Sequence, residues 1–541
     1  MLFDELYESC FRNASLVKVP SGKPGKDDAS LLVTLDHVMS NSQYVVFFLT
    51  AGIKGADISL KLDNMVRKKN ERGDKDKTHS SPARIRRFFN MKKKKKNGNV
   101  VSDPTLISVI LIDTDYRSNY DESGCSQLAQ PGWYVYAPQP PATKSRLLRA
   151  LGFEFSPSLI IVDAGSRTVV TTEGRRLLAD DINGTSFPWW PPSVSEVLNG
   201  NTLRRVNGAV EVSDFSAIKA TVRFFQCPPC RQWVKQLAPV YEKMKARGIS
   251  LEIVFCSSDR TQEAFDQFIT QMPWYSFTYD PSKTIALTRV FNISGIPSLI
   301  LLDSAGRVIT NHGRSSLLED SDGTYFPWGP RPLYELNEFT VCRLRDEPSL
   351  ILFTEGSPDD IQFSLSVMDT LSKRLFEERL KIAERRIEEL ERKSDENSEP
   401  SSGISKSASS EECSSMGSDL PIPPQADPLQ LLYTGEDPIC DHILESILGL
   451  GDVELPLICI VDGLAGQLCV CERPDVSEAV LNEFVGEYRA GRLQWVPLPV
   501  TTQSAAKSVG GIPSSVIEQA LISNSPSQNS LNGGKEEVKT I

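Results

Sequence analysis

The sequence predicts an α/β chain in which one unit, a mixed sheet flanked by helices, occurs three times in tandem, with polar insertions and a polar tail. Three observations predict it: a motif series that recurs at a whole-domain interval, buried strands that alternate with helical patterns, and a length beyond one core. At roughly 100 to 200 residues per domain, 541 residues call for three or four domains.

The repeat is legible by eye. The runs Ser156-Pro-Ser-Leu-Ile-Ile-Val-Asp163, Glu173-Gly-Arg-Arg176 and Phe187-Pro-Trp189 return in the same order as Ile296-Pro-Ser-Leu-Ile-Leu-Leu-Asp303, His312-Gly-Arg-Ser315 and Phe326-Pro-Trp328. Pro157 and Pro297 stand 140 positions apart, the span of a domain. A fainter third copy starts at Leu455-Pro-Leu-Ile-Cys-Ile-Val-Asp462. In each copy a Pro precedes a short apolar run that ends at Asp, which reads as a buried strand followed by a turn.

Apolar runs at 44–49, 220–225 and 349–353 open the three copies, and second buried strands follow at 106–112, 250–255 and 429–433. Helical patterns at 231–247 and 261–268 lie between them. Strands alternating with helices of that length imply βαβ units. The expected domains are 1–198, 199–338 and 339–500, with a tail over 501–541. A basic stretch at 66–104 interrupts the first, and a Ser, Glu and Pro stretch at 393–428 interrupts the third. Both insertions and the tail are too polar to bury and are expected to be disordered. Over 371–392, Phe376, Leu380, Ala383, Ile387 and Leu390 alternate at 4,3 spacing, which fits an extended amphipathic helix or a short self-association seam.

Composition excludes several classes. A net charge of -11 argues against nucleic acid as a partner of the whole chain, since phosphate contacts need clustered Lys and Arg. No apolar stretch approaches the roughly 20 residues that span a bilayer, and the N-terminus lacks a signal-peptide pattern, so no membrane is expected. Eleven cysteines without framework spacing fit a reducing compartment. Four scattered histidines leave little material for a metal site or a Ser-His-Asp arrangement. The basic residues 84–87 and 92–96 fit an import signal, a binding patch or a solvated loop.

The chemistry concentrates at Gln226-Cys227-Pro228-Pro229-Cys230. Two cysteines three apart, after a strand and at a helix start, suit a dithiol/disulfide centre. Unpaired amides and the helix dipole favour a thiolate there, which makes Cys227 the expected nucleophile and Cys230, one turn on, the resolving thiol. Pro228 and Pro229 remove backbone donors where missing amides are tolerated, and with Gln226 they shape the site. Two other readings of the pair are a zinc half-site and structural thiols. About 70 residues later, Ile296-Pro297 opens a strand, either as a substrate-binding loop with a cis bond beside the cysteines or as an ordinary strand-initiating proline. The corresponding segments of the other copies, 50–55 and 354–358, carry no CxxC, so they are expected to bind or scaffold.

Taken together, Cys227-Pro-Pro-Cys-Arg231, Met272-Pro-Trp274, Gly295-Ile-Pro-Ser-Leu299, Gly313-Arg314, Phe326-Pro-Trp328 and Arg331-Pro-Leu333 resemble the nucleoredoxin family of the thioredoxin superfamily, across most of the chain outside the insertions and tail. The resemblance implies three tandem thioredoxin-like domains and a protein-disulfide reductase of cytosol and nucleus. It implies no bound cofactor, with electrons arriving from NADPH through a separate reductase. It further implies protein disulfide or thiol substrates and the regulation of signalling proteins such as Dishevelled of the Wnt pathway. The chain departs from the family at Phe225-Gln226, where members carry a small residue and Trp, and that departure bears on rate and specificity. A redox-sensitive adaptor with negligible turnover is the alternative function.

Overall fold

The structure is a computed structural model that describes residues 14–20, 32–76, 105–114, 124–137, 140–192, 194–198, 202–204, 210–212, 220–226, 231–291, 293, 298–303, 306–396, 429–451, 453–499, 508–509 and 512–513. Among these residues lie three large mixed sheets of seven, seven and six strands. The chain is thus α/β, with helices on the faces of each sheet.

The three sheets share one central arrangement. In the first, Ser42–Thr50 lies between Thr105–Asp113, which is parallel to it, and Ser158–Asp163, which is antiparallel. In the second, Ala220–Gln226 lies between parallel Glu252–Ser257 and antiparallel Ser298–Asp303. In the third, Ser349–Phe353 lies between parallel Gln430–Thr434 and antiparallel Leu457–Asp462. Each antiparallel strand then pairs with a further strand, Thr168–Thr171, Val308–Thr310 or Gln467–Val470.

Central strands form because their residues are apolar on both faces. Val45, Phe47 and Leu49 enter one core of the first sheet, while Val46 and Phe48 enter the other. The second sheet buries Phe255, Leu299 and Leu301 on one side and Val254, Ile300 and Leu302 on the other. Against its first face lies the helix Arg231–Ala246, whose Val234, Leu237, Tyr241 and Met244 form one buried stripe at 3,4,3 spacing. The repeated Gly174 and Gly313 allow short helices to lie against strands. A Cβ at either position would come 2.6 Å from the carbonyl oxygen of Leu159 or Leu299.

The Phe-Pro-Trp motifs are turns anchored by an aspartate eight residues before each Trp. Asp320 accepts from the backbone N–H groups of Thr324 and Tyr325, both at 2.8 Å, and from Trp328 Nε1 at 3.0 Å. Asp181 accepts from Thr185, Ser186 and Trp189 Nε1 in the same way. Burial works against ionisation of Asp181, but donors from Ser186, Trp189 and Thr185 outweigh it, so the carboxyl titrates below the ordinary aspartate value.

The units touch one another. The Arg149 guanidinium forms an ion pair with Asp462, and their side chains are only 6% and 4% exposed. Ser145 Oγ donates to the same carboxylate at 3.3 Å, and Leu464 packs on the core of the first sheet. Nearby, Arg345 donates to the Glu154 carbonyl and lies over the Phe153 ring. Between the second and third units, His312 Nε2 stands 3.3 Å from Asp346.

Four expectations need correction. The helix Ala56–Asp76 runs well into the stretch 66–104, because Met65 and Val66 are buried and the Asn70 side chain exchanges hydrogen bonds with both backbone groups of Ile107. The helix Pro358–Glu396 likewise enters the second insertion, and within the tail Ser508–Val509 pairs with Ile512–Pro513. The rest of those three segments lies outside the described residues. Tyr334–Leu336, ahead of the expected junction at 338/339, pairs with Gln430–Thr434 and so completes the third sheet. Separately, Leu371 and Leu375 of the helix Pro358–Glu396 pack in the chain's own core, while Leu380 is exposed.

Candidate redox site

Cys227, Pro228, Pro229, Cys230, Ile296 and Pro297 lie outside the described residues, and the site is defined by what flanks them. The strand Ala220–Gln226 ends one residue before Cys227, and the helix Arg231–Ala246 starts one residue after Cys230. The strand Ser298–Asp303 starts one residue after Pro297. Phe225 pairs directly with Ser298. The strands that flank both segments are therefore paired at the same end of the second sheet.

The same register recurs at all three sheets. The residue after the proline is Ser158, Ser298 or Leu457, and its partner is Leu49, Phe225 or Phe353. In the first and third sheets the bonds Ser156-Pro157 and Leu455-Pro456 are cis. There the turn that follows the central strand lies close to fixed backbone. A Cβ on Gly55 would be 3.2 Å from Pro157 Cβ and 3.1 Å from the Phe48 ring. Gly356 backs onto the carbonyl of Gly435. These two turns hold no cysteine at all.

On the other side of Gln226, the partner residue is Ser257, and Phe225 pairs with Cys256. The loop beyond is held by Ser257 Oγ donating to Asp259 at 2.6 Å, by Thr284 Oγ1 donating to the Ser257 carbonyl, and by Tyr279 donating to the Asp259 carbonyl. Trp274 is buried edge-on against Tyr241 beneath the helix that follows Cys230. At the sheet end that carries the cysteine segment, the neighbouring strand's loop is thus fixed by Ser257, Asp259, Tyr279 and Thr284.

Among the described residues, Cys125, Cys342, Cys440, Cys459, Cys469 and Cys471 are poor nucleophiles because burial raises their thiol pKa values. Burial pushes the Cys125 and Cys440 pKa values up to about 12, and that of Cys342 up to about 11. Burial and the neighbouring Cys469 raise Cys459 as well. Cys469 and Cys471 pack in an apolar core of the third sheet. No group of three metal-ligating side chains occurs among the described residues. No described helix is long and apolar enough to cross a membrane.

Sequence reasoning passed over Asp181, Asp320, Arg149, Asp462 and Arg345. The recurrence of Asp eight positions before Trp was available as a signal for the first two. The other three meet partners far away in sequence and leave no local signature.

Comparison with known proteins gives consistent matches. A family model described as "Thioredoxin-like" matches residues 220–308, and one described as "Thioredoxin-like, C-terminal domain" matches 330–492. Nucleoredoxin of Homo sapiens is 32% identical over 345 residues, covering 63% of this chain and 70% of the relative. Nucleoredoxin of Xenopus laevis is 30% identical over 369 residues, covering 68% and 79%. The crystal structure of native tryparedoxin I from Crithidia fasciculata is 32% identical, covering 25% of this chain and 98% of its own, with a TM-score of 0.23.

Proposed function

The chain belongs to the nucleoredoxin family of thioredoxin-like thiol-disulfide oxidoreductases, and from that premise we propose that it is a protein-disulfide reductase whose centre is Cys227 and Cys230. The observation that carries the proposal is the shared register, which tethers the cysteine segment and the segment ending at Pro297 to paired residues at one sheet end. Three tandem domains, one per sheet, complete the reading, with the redox centre in the middle one.

In the reaction, the Cys227 thiolate attacks one sulfur of a partner's disulfide. That bond breaks, and the departing sulfur takes the electron pair and then a proton. Cys230, deprotonated, attacks Cys227 Sγ, which releases the second partner thiol and leaves a Cys227–Cys230 disulfide. Two electrons, from NADPH through a separate reductase, restore the dithiol. Ile296 and Pro297 present the partner's backbone, and Gln226, Pro228 and Pro229 shape the approach. We assign the protein to cytosol and nucleus, with signalling proteins of the Dishevelled type among its partners and with the helix from Leu380 onward as the segment for self-association.

Reduction of insulin disulfides tests the centre: the wild type should outpace Cys227→Ser by at least tenfold. Equal rates would instead favour the redox-sensitive adaptor. A Cys230→Ser variant should accumulate mixed disulfides that mass spectrometry assigns to Cys227.

A further inference from the structure

Between the first and second units lies a cleft of about 370 Å³, walled by Glu154, Phe155, Glu173, Arg175 and Arg176 on one side and reached by Ile293 from the other. Ser158, the residue that follows the cis proline of the first sheet, also lines it. Ile293 precedes Pro297 by four positions. The cleft therefore joins the proline edge of the first sheet to the chain that leads into the proposed substrate loop.

Its chemistry is selective. Glu173 is engaged by Arg176 at 2.5 Å, and Glu154 is electrostatically coupled to Arg345. Arg175 is exposed and has no ion-pair partner among the described residues, so its guanidinium is open to a carboxylate even though the two arginines and two glutamates of the lining balance. Beside it, Phe155 is 38% exposed, an apolar surface next to a cation.

We propose that this cleft holds an extended, acidic polypeptide segment of the disulfide-bearing partner, with Arg175 taking a carboxylate and Phe155 an apolar side chain. The first unit, which lacks cysteines at its own sheet end, thereby selects what reaches Cys227. This inference rests on the redox reading of that centre for its purpose, though the binding itself needs no sulfur chemistry.

The test uses the full chain with Cys227→Ser and Cys230→Ser, so that binding is measured without turnover. The probes are short fluorescein-labelled peptides with a central Phe flanked by Glu or, for comparison, by Lys, and the readout is fluorescence anisotropy. The Glu peptide should bind more tightly than the Lys peptide. Arg175→Glu should weaken the Glu peptide by about fivefold and reverse the preference, as expected for an exposed ion pair. Phe155→Ala should weaken both peptides about threefold, the scale of a partly buried apolar contact. A reversed preference cannot come from misfolding. Equal binding of the two peptides, binding of neither, or an Arg175→Glu variant indistinguishable from its parent would overturn the proposal. Failure of insulin reduction would leave these binding results standing, so the two readings fail separately.

Discussion

The first unit meets its two neighbours in opposite ways. Toward the third it presents a buried ion pair, Arg149 with Asp462, together with Leu464 and the Arg345 bond to the Glu154 carbonyl. Toward the second it leaves an open cleft whose Arg175 has no ion-pair partner among the described residues. A buried pair tolerates little rearrangement, because separating its members strands a charge away from water. The lesson is one of division: the contact with the third unit fixes the wall, and the cleft beside the second accommodates.

The largest effect should follow removal of the fixed side. Asp462→Ala removes the carboxylate that Arg149 meets in a buried ion pair and should cost about 3–5 kcal/mol, visible as a lower first melting transition and faster limited proteolysis. The double variant Arg149→Met with Asp462→Leu should recover most of that loss. If the single variant melts like the wild type, the two contacts do not differ as described.

Arg345→Met should have a smaller effect, about 1–3 kcal/mol, because it leaves the Glu154 carbonyl without its charged donor. Glu154 and Phe155 line the cleft, so this variant should also weaken binding of the Glu peptide to the full chain. Loss of stability with unchanged binding would separate the two contacts.

Thiol reactivity gives the smallest signal and sharpens the comparison further. Burial disfavours the thiolates of Cys125 and Cys440 and holds their pKa values near 12, so at pH 8 only about one molecule in ten thousand carries either anion. Both should resist iodoacetamide at pH 8 and react only as pH rises toward 12. In Asp462→Ala they should still resist, since the contact opens while each core persists. Rapid alkylation in that variant would mean that the cores themselves had come apart.

Much of this was legible in the sequence, for identifiable reasons. The central strands are apolar on both faces, as Val45 to Leu49 are, and their repetition at a fixed interval exposed the architecture. The proline ahead of each strand gave the position of the sheet end. The helix Ala56–Asp76 was missed because its outward residues are charged, while past residue 66 it is held by Asn70, bonded to a strand far along the chain. Arg149 and Asp462 are 313 positions apart, and nothing near either residue announces the other. Tyr334–Leu336 looked like a connector since three residues are too few to show a period, yet the third sheet is incomplete without them.

The glycine turns of the first and third units have a consequence for what could be built there. With Gly55 lodged against Pro157, and Gly356 against the Gly435 carbonyl, the room a sulfur would need is already taken up by main chain and ring. Cysteines introduced at these turns would require rebuilding the loop as well as changing two codons. The crowding thus closes both sheet ends to a second sulfur pair by geometry alone, whatever their surfaces come to touch.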